Sequence, residues 1–251
     1  MSGPINAYFV CGGKYHDMDF ARVEVLKLLG EHEEIRCQVA SDYRDSEAIS
    51  RADFLISYTC DLSDTSEAEQ DALAEFVRSG KRWFALHGTN SVMDFLDDGS
   101  VATPRSHPKL MQTLGSQFIA HPRIAPYRVT NAAPTHPLVK GIEPFEANDE
   151  LYLCEYHGEN LSLLETRYTG QAVGFQEADW PQDEARLVMY LHTEGQGEVL
   201  YLTLGHCRGK YDMRPMIPVY PVVERGSWEL PVFYELLRRG IRWAAHGLDA
   251  V

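Results

Sequence analysis

The sequence predicts an α/β fold, in which a parallel β-sheet is covered by helices on both faces and extended by antiparallel strands. Through about residue 95, apolar strand-like runs alternate with helical patterns, as in β-α-β units with parallel strands. Beyond that point, strand-like runs follow one another with few helical patterns between them. A long amphipathic pattern over residues 228–245 then predicts a helix that packs back onto the sheet.

The first half supplies the parallel part of the sheet. A helix over residues 19–29 has apolar residues at helical spacing and stops at Gly30, a residue typical of helix C-caps. A second helix begins among the capping and acidic residues 63–69 and ends at Ser79 and Gly80. Buried strands are predicted at residues 5–11, 35–40, 52–58 and 82–87.

The second half predicts antiparallel additions to the sheet edge, or a small second sheet. Since no repeat, low-complexity segment or proline-rich linker interrupts the chain, residues 1–251 are expected to form one domain. Together the two halves predict a flavodoxin-like three-layer sandwich. The strand-like runs are residues 118–120, 128–130, 151–154, 162–168, 187–192 and 198–204.

Composition excludes several classes of function. The formal net charge of −14 argues against binding to nucleic acid or to an anionic membrane surface, and is compatible with a neutral small-molecule substrate. The 5 cysteines are scattered and form no CxxC pair, which argues against a disulfide framework. Because we see neither a signal peptide nor a long apolar span, we expect a cytoplasmic protein.

Polar side chains follow the predicted strands at the edge where open parallel sheets bind ligands. Residues 12–17 follow the first strand and residues 58–61 the third. His87 ends the fourth strand, at the sharp turn where many α/β enzymes carry a nucleophile. Two further histidines come directly after strand-like runs in the second half. We therefore expect one pocket to be lined by His16, His87, His121 and His206.

Two kinds of chemistry fit such a pocket. Histidine titrates near neutrality and is suited to general acid–base catalysis, with Glu150 as a carboxylate that orients a ring or shares the proton. Imidazole and carboxylate also bind divalent metals such as zinc. Because the sequence lacks an HExxH or HxH pattern, it leaves open whether a metal binds here. Neighbouring polar residues that could bind a substrate are Asp17, Tyr58, Asn90 and Arg208.

These residues resemble the trehalose-utilisation (ThuA-like) family, a branch of the class I glutamine amidotransferase-like superfamily. The resemblance spans nearly the whole chain, and its motifs occur in the expected order. They are Gly12, Gly13, His16 and Asp17; His87 and Gly88; Phe118, His121 and Pro122; and the segments 136–142, 148–152 and 195–206.

The resemblance implies a carbohydrate substrate and a changed chemistry. Amidotransferases carry a cysteine nucleophile where this chain has His87, so no glutaminase activity is expected. The expected activity is acid–base chemistry on a sugar or keto-sugar, as a lyase, isomerase or hydrolase. The catalytic candidates are His16, His87, His121, His206 and Glu150. The alternative is a non-catalytic sugar-binding or assembly protein on the same fold.

The segment 210–224 combines prolines with many apolar residues. Prolines prevent a continuous helix, and long irregular segments in compact domains are often functional. Because it begins just after His206, it is expected to cover the pocket, to contribute to a homodimer contact, or both. An ordered surface loop is the alternative.

Overall fold

A computed structural model describes residues 3–214, 216 and 221–251 of the chain. The strands are β1 (Ile5–Gly13), β2 (Ile35–Ala40), β3 (Phe54–Cys60), β4 (Arg82–Leu86), β5 (Asp94–Phe95), β6 (Val101–Ala102), β7 (Ser116–Ala120), β8 (Ala125–Asn131), β9 (Phe145–Asp149), β10 (Leu153–Tyr156), β11 (Asn160–Arg167), β12 (Gly170–Gln171), β13 (Asp179–Trp180), β14 (Ala185–Glu194) and β15 (Gly197–Leu202). The helices are α1 (Met18–Leu29), α2 (Ser46–Arg51), α3 (Glu67–Arg78), α4 (Pro108–Leu114) and α5 (Pro231–His246), with 3₁₀ turns at His87–Asn90, Gly226–Glu229 and Leu248–Ala250.

The main sheet of the described chain has 9 strands, in the order β2-β1-β3-β4-β15-β14-β11-β8-β9. The first five strands are mutually parallel, and β15 occupies the fifth place of a flavodoxin-like order. From β14 onward the pairing is antiparallel. The predicted flavodoxin-like fold with appended antiparallel strands is therefore confirmed.

The small second sheet left open by the sequence also exists, because β7 and β10 pair only with each other. His87 begins a single 3₁₀ turn, His87–Asn90, that follows β4. The predicted helix over residues 228–245 begins later, at Pro231, and is preceded by another 3₁₀ turn. The short helix α2 was not predicted.

Alternating side chains of the central strands build two cores, one on each face of the sheet. Every residue of β3 is buried, as expected for a strand covered on both faces. Ile56 packs in the core that includes α1 and α5. Its neighbour Leu55 faces the core that includes α2, α3 and α4. Burying one such side chain contributes about 1.5–3 kcal/mol.

Helix caps fix where the chain leaves the sheet. Ser66 and Glu69 form a reciprocal capping box at the start of α3. Asp17 caps α1 by accepting a hydrogen bond from the Phe20 N–H at 3.1 Å, which fixes the loop after β1. Among the described residues, no helix qualifies as a membrane span.

Candidate functional site

Four buried side chains meet at the carboxyl edge of the parallel strands. His16 lies in the loop after β1, His87 directly follows β4, and His206 comes after β15. Glu150 follows β9 from the antiparallel half. One nitrogen or oxygen atom from each lies within 4.8 Å of the corresponding atoms of the others. We call His16, His87, Glu150 and His206 the His–Glu cluster.

The loop that carries His16 depends on two glycines. A Cβ atom on Gly12 would lie 2.1 Å from the backbone oxygen of Ser41, and one on Gly13 would lie 1.9 Å from that of Cys60. Gly13 also has a φ of +116°, in the region that favours glycine. The pair therefore lets the chain pass closely between its neighbours and turn His16 back over the sheet edge.

His87 occupies a strained turn that several contacts hold in place. Its φ is +47°, uncommon for a residue with a side chain. The Tyr201 hydroxyl donates to the His87 carbonyl at 2.5 Å and accepts from the Asn90 N–H at 2.8 Å. His87 Nδ1 lies 2.8 Å from the Thr203 carbonyl, which can only accept, so this nitrogen carries the proton. The other nitrogen, Nε2, then faces His16 Nε2 at 2.8 Å.

Glu150 is the centre of the site, and it is only 4% exposed. Cationic or potentially cationic groups surround its carboxylate on several sides. The contacts are His206 Nδ1 at 3.1 Å, His87 Nε2 at 3.4 Å, Arg208 at 3.4 Å, His16 Nε2 at 3.7 Å and His121 Nε2 at 3.7 Å. A buried carboxylate needs such partners, because an unpaired charge in the interior is costly.

The ring nitrogens that point away from Glu150 have partners of their own. His206 Nε2 lies 2.9 Å from a Glu224 oxygen, which also accepts from Arg208 at 2.7 Å. His121 Nδ1 lies 2.7 Å from the Pro122 carbonyl. His16 Nδ1 lies 3.4 Å from the Lys14 carbonyl. These outer contacts orient each ring with its other nitrogen toward Glu150.

Asp149 organises the backbone behind the site and is fully buried. Its Oδ1 accepts from the backbone N–H groups of Glu150 at 2.8 Å and His206 at 3.1 Å. Its Oδ2 accepts from those of Gly205 at 3.0 Å and Ser227 at 2.9 Å. One carboxylate thus ties together the segments after β9 and β15 and the 3₁₀ turn before α5.

Comparison with known protein families identifies the family of the chain. The family described as trehalose utilisation, ThuA, matches residues 7–219. The chain belongs to the ThuA family. Membership connects it with trehalose utilisation and so with carbohydrate metabolism, and it confirms the resemblance found in the sequence. A search of curated proteins gave no match.

Solved structures similar to this ThuA-family chain support the fold. A ThuA-like protein from Bacteroides uniformis has a TM-score of 0.66 and 16% identity, over 97% of this chain and 93% of that one. A ThuA-like protein from Parabacteroides merdae has a TM-score of 0.61 and 17% identity, over 97% of this chain and 91% of that one. A cytoplasmic protein from Salmonella typhimurium has a TM-score of 0.53 and 11% identity, over 98% and 99%.

The predicted substrate-binding residues of this ThuA-family chain differ from one another in burial and in hydrogen-bond partners. Arg208 is buried within the site, between Glu150 and Glu224. Asp17 lies at the start of α1, where it is held by its capping bond and by Arg225 at 3.1 Å. Both therefore stay candidates, although Asp17 already has a structural role.

Burial does not fit the expected substrate contacts of Tyr58 and Asn90. Tyr58 is 1% exposed, and its hydroxyl donates to the Gly205 carbonyl at 2.8 Å. Asn90 is fully buried, and its amide donates to the Ser116 hydroxyl at 2.7 Å. Asn90 follows β4 as predicted, whereas Tyr58 lies inside β3, which continues to Cys60. Both side chains turn into the protein interior.

Local electrostatics place different protonation states side by side. Burial lowers the pKa of His16 to about 4, so its ring is neutral near pH 7. Burial also opposes charge on His206, but the charge of Glu150 and the hydrogen bond to Glu224 raise its pKa to about 9. Burial alone would raise the pKa of Glu150, yet the neighbouring His206 and His121 hold it well below the usual range. Neutral and protonated imidazoles thus flank one ionised carboxylate.

The expectations for segment 210–224 rest partly on Pro215 and residues 217–220, which lie outside the described residues. The described part shows how the segment joins the site. Arg208 and Glu224 exchange backbone hydrogen bonds of 2.9 Å in both directions, which closes the base of the segment. Glu224 was not a predicted site residue, yet it reaches His206.

Proposed function

We propose that the chain acts on a sugar or keto-sugar by proton transfer at the exposed edge of the His–Glu cluster, where His121 lies. The observation that carries this proposal is the convergence of three histidine rings on the buried carboxylate of Glu150, at the sheet edge where such folds bind ligands. Membership of the ThuA family supports the carbohydrate class of the substrate. The proposed reaction is that of a lyase, isomerase or hydrolase, without glutaminase activity.

His121 is the proposed proton carrier. Its side chain is 24% exposed, whereas those of His87 and His206 are each 1% exposed. Its Nδ1 contacts the Pro122 carbonyl, which leaves Nε2 for a substrate or for Glu150. Removal of a proton next to a carbonyl requires such a base, together with groups that stabilise the enolate oxygen. The buried cluster behind His121 supplies the second requirement.

Aromatic rings beside His121 support a sugar as the ligand. The Phe175 ring lies 5.0 Å from that of His121, and it packs against Phe118 at 5.7 Å. Tyr15, on the loop that carries His16, and the exposed Phe95 of β5 form another pair, with ring centroids 5.3 Å apart. Ring faces of this kind bind the C–H face of a sugar, while polar groups fix its hydroxyls.

Exchange of deuterium from solvent tests the proposal directly. A keto-sugar is incubated with the protein in D₂O, and incorporation at the carbon next to the carbonyl is followed by NMR. We expect His121→Ala to slow exchange about 10²–10⁴-fold with sugar binding retained, because it removes the proton carrier. The exposed His246→Ala provides the matched control and should exchange at the wild-type rate.

Two results would contradict the proposal. The first is equal exchange in wild type and in His121→Ala. The second is sugar binding by the wild-type protein without exchange or turnover across a panel of keto-sugars, which would favour the non-catalytic sugar-binding alternative.

Self-association is a further part of the proposal. Tyr211, Val222 and Val223 lie on segment 210–224 and are each more than half exposed. Apolar side chains grouped on a surface often mark an interface. Light scattering should therefore give a homo-oligomer mass that falls in a Tyr211→Ser, Val222→Ser, Val223→Ser triple variant. A monomer mass for the wild-type protein would exclude self-association.

A further inference from the structure

Without an ion, the inner atoms of the His–Glu cluster can pair with one another only in particular protonation states. His87 donates through Nδ1 to Thr203, so its Nε2 has only a lone pair, and this lone pair faces His16 Nε2 at 2.8 Å. A hydrogen bond between the two nitrogens needs the proton on His16 Nε2. That tautomer removes the proton from His16 Nδ1, which lies beside the Lys14 carbonyl.

The inner nitrogen of His206 also lacks a hydrogen-bond partner among the described residues. His206 is fully buried, and its Nδ1 has no hydrogen-bond partner. This nitrogen lies 3.1 Å from a Glu150 oxygen, but the two groups are not aligned as a hydrogen bond. Without an ion, the four inner atoms are paired only when protons lie on both His16 Nε2 and His206 Nδ1. A central cation would interact with all four.

The separations fit a metal ion. Ligand atoms in tetrahedral sites lie about 2.1 Å from zinc and hence about 3.4 Å from one another. Four separations within the cluster, each taken to the nearer Glu150 oxygen where the carboxylate is involved, are 2.8 Å, 3.1 Å, 3.4 Å and 3.7 Å. The full set of ligand atoms lies within 4.8 Å. Three imidazoles and one carboxylate suit zinc and its transition-metal neighbours, whereas Mg²⁺ and Ca²⁺ prefer oxygen ligands.

The surroundings also match those of metal-binding histidines. Such histidines donate their outer N–H to a carboxylate or a backbone carbonyl, which fixes the ring and its tautomer. Glu224 provides this contact for His206, and the Thr203 carbonyl provides it for His87.

We infer that His16 Nε2, His87 Nε2, His206 Nδ1 and the Glu150 carboxylate form a binding site for one divalent transition-metal ion of the zinc class. His121 Nε2, 3.7 Å from Glu150, lies beside the site on its more exposed side. The inference goes beyond the proposed function, because the ion would bind whether or not the chain acts on a sugar.

Equilibrium titration of chelator-treated full-length protein tests the site. The probe is zinc chloride with a competing chromophoric chelator, and magnesium chloride serves as a second titrant. We expect one tightly bound zinc per chain and no competition from magnesium. Glu224→Gln should weaken zinc binding 10–100-fold, the usual effect of losing an outer partner. Glu150→Gln should weaken it further, and the exposed His246→Ala should bind as the wild type does.

Cobalt provides a readout that needs no variant. Cobalt(II) added to the wild-type protein should develop ligand-field absorption of a low-coordinate nitrogen and oxygen site, and zinc should abolish it. The inference is wrong if the wild-type protein binds neither zinc nor cobalt. It is also wrong if folded Glu150→Gln and Glu224→Gln bind zinc as the wild type does. No sugar is present, so these outcomes are independent of deuterium exchange.

Discussion

Replacing Asp149 by asparagine should destabilise the protein substantially. The carboxylate accepts two backbone N–H groups on each oxygen, from Glu150 and His206 on one and from Gly205 and Ser227 on the other. Asparagine turns one oxygen into an NH₂ group, whichever way the amide is oriented. Two buried N–H groups then lose their acceptor, at about 1–3 kcal/mol each. The expected loss in the free energy of unfolding is therefore about 2–6 kcal/mol.

Urea unfolding followed by circular dichroism measures this loss. The matched control is Asp98→Asn, because Asp98 is exposed and bonds to Ser100 through Oδ1 alone, an atom that asparagine retains. The control should lie within about 0.5 kcal/mol of wild type. If Asp149→Asn also lies within 0.5 kcal/mol, Asp149 does not hold the backbone of the site as described.

Three other predictions follow from the structure. Gly13→Ala should destabilise the fold by more than Gly141→Ala, because both residues have positive φ but only the methyl group added at Gly13 meets backbone atoms. Thermal unfolding compares the two variants, and equal losses of stability would contradict the role of the close backbone contact at Gly13. Tyr201→Phe should lower the free energy of unfolding by about 1–3 kcal/mol, because the His87 carbonyl loses the hydroxyl that donates to it. An unchanged midpoint of urea unfolding would show that the turn at His87 does not depend on this hydrogen bond. Burial raises the pKa of Cys37 to about 11, so its alkylation by iodoacetamide should rise steeply between pH 9 and about 11. A free thiol with a pKa of about 8.5 is already mostly ionised at pH 9, so a rate that changes less than about twofold over this range would contradict the shift.

The parallel half of the fold could be predicted from local sequence patterns. Strands β1, β3 and β4 are apolar runs next to helical patterns, so their type and their buried position could be predicted from neighbouring residues. Strand ends also placed His16 and His87 at one edge, since the carboxyl ends of parallel strands meet there.

Non-local pairing and side-chain direction could not be predicted in the same way. Nothing local shows that β7 pairs with β10 instead of joining the main sheet. Glu224 is 18 residues beyond His206, and its arrival depends on the path of an irregular segment. Strand β3 continues to Cys60, two residues beyond its predicted end at Tyr58. Successive side chains of a strand point to opposite faces, and that of Tyr58 lies in the core.

Anomalous diffraction at the zinc absorption edge tests the central claim, that the His–Glu cluster is a built functional site, most directly. Crystals of the full-length protein grown with one equivalent of zinc are measured above and below the edge. The account predicts one strong peak about 2.0–2.2 Å from Nε2 of His16, Nε2 of His87, Nδ1 of His206 and a Glu150 oxygen. A strong peak only elsewhere on the chain, or no peak between these side chains, would contradict it.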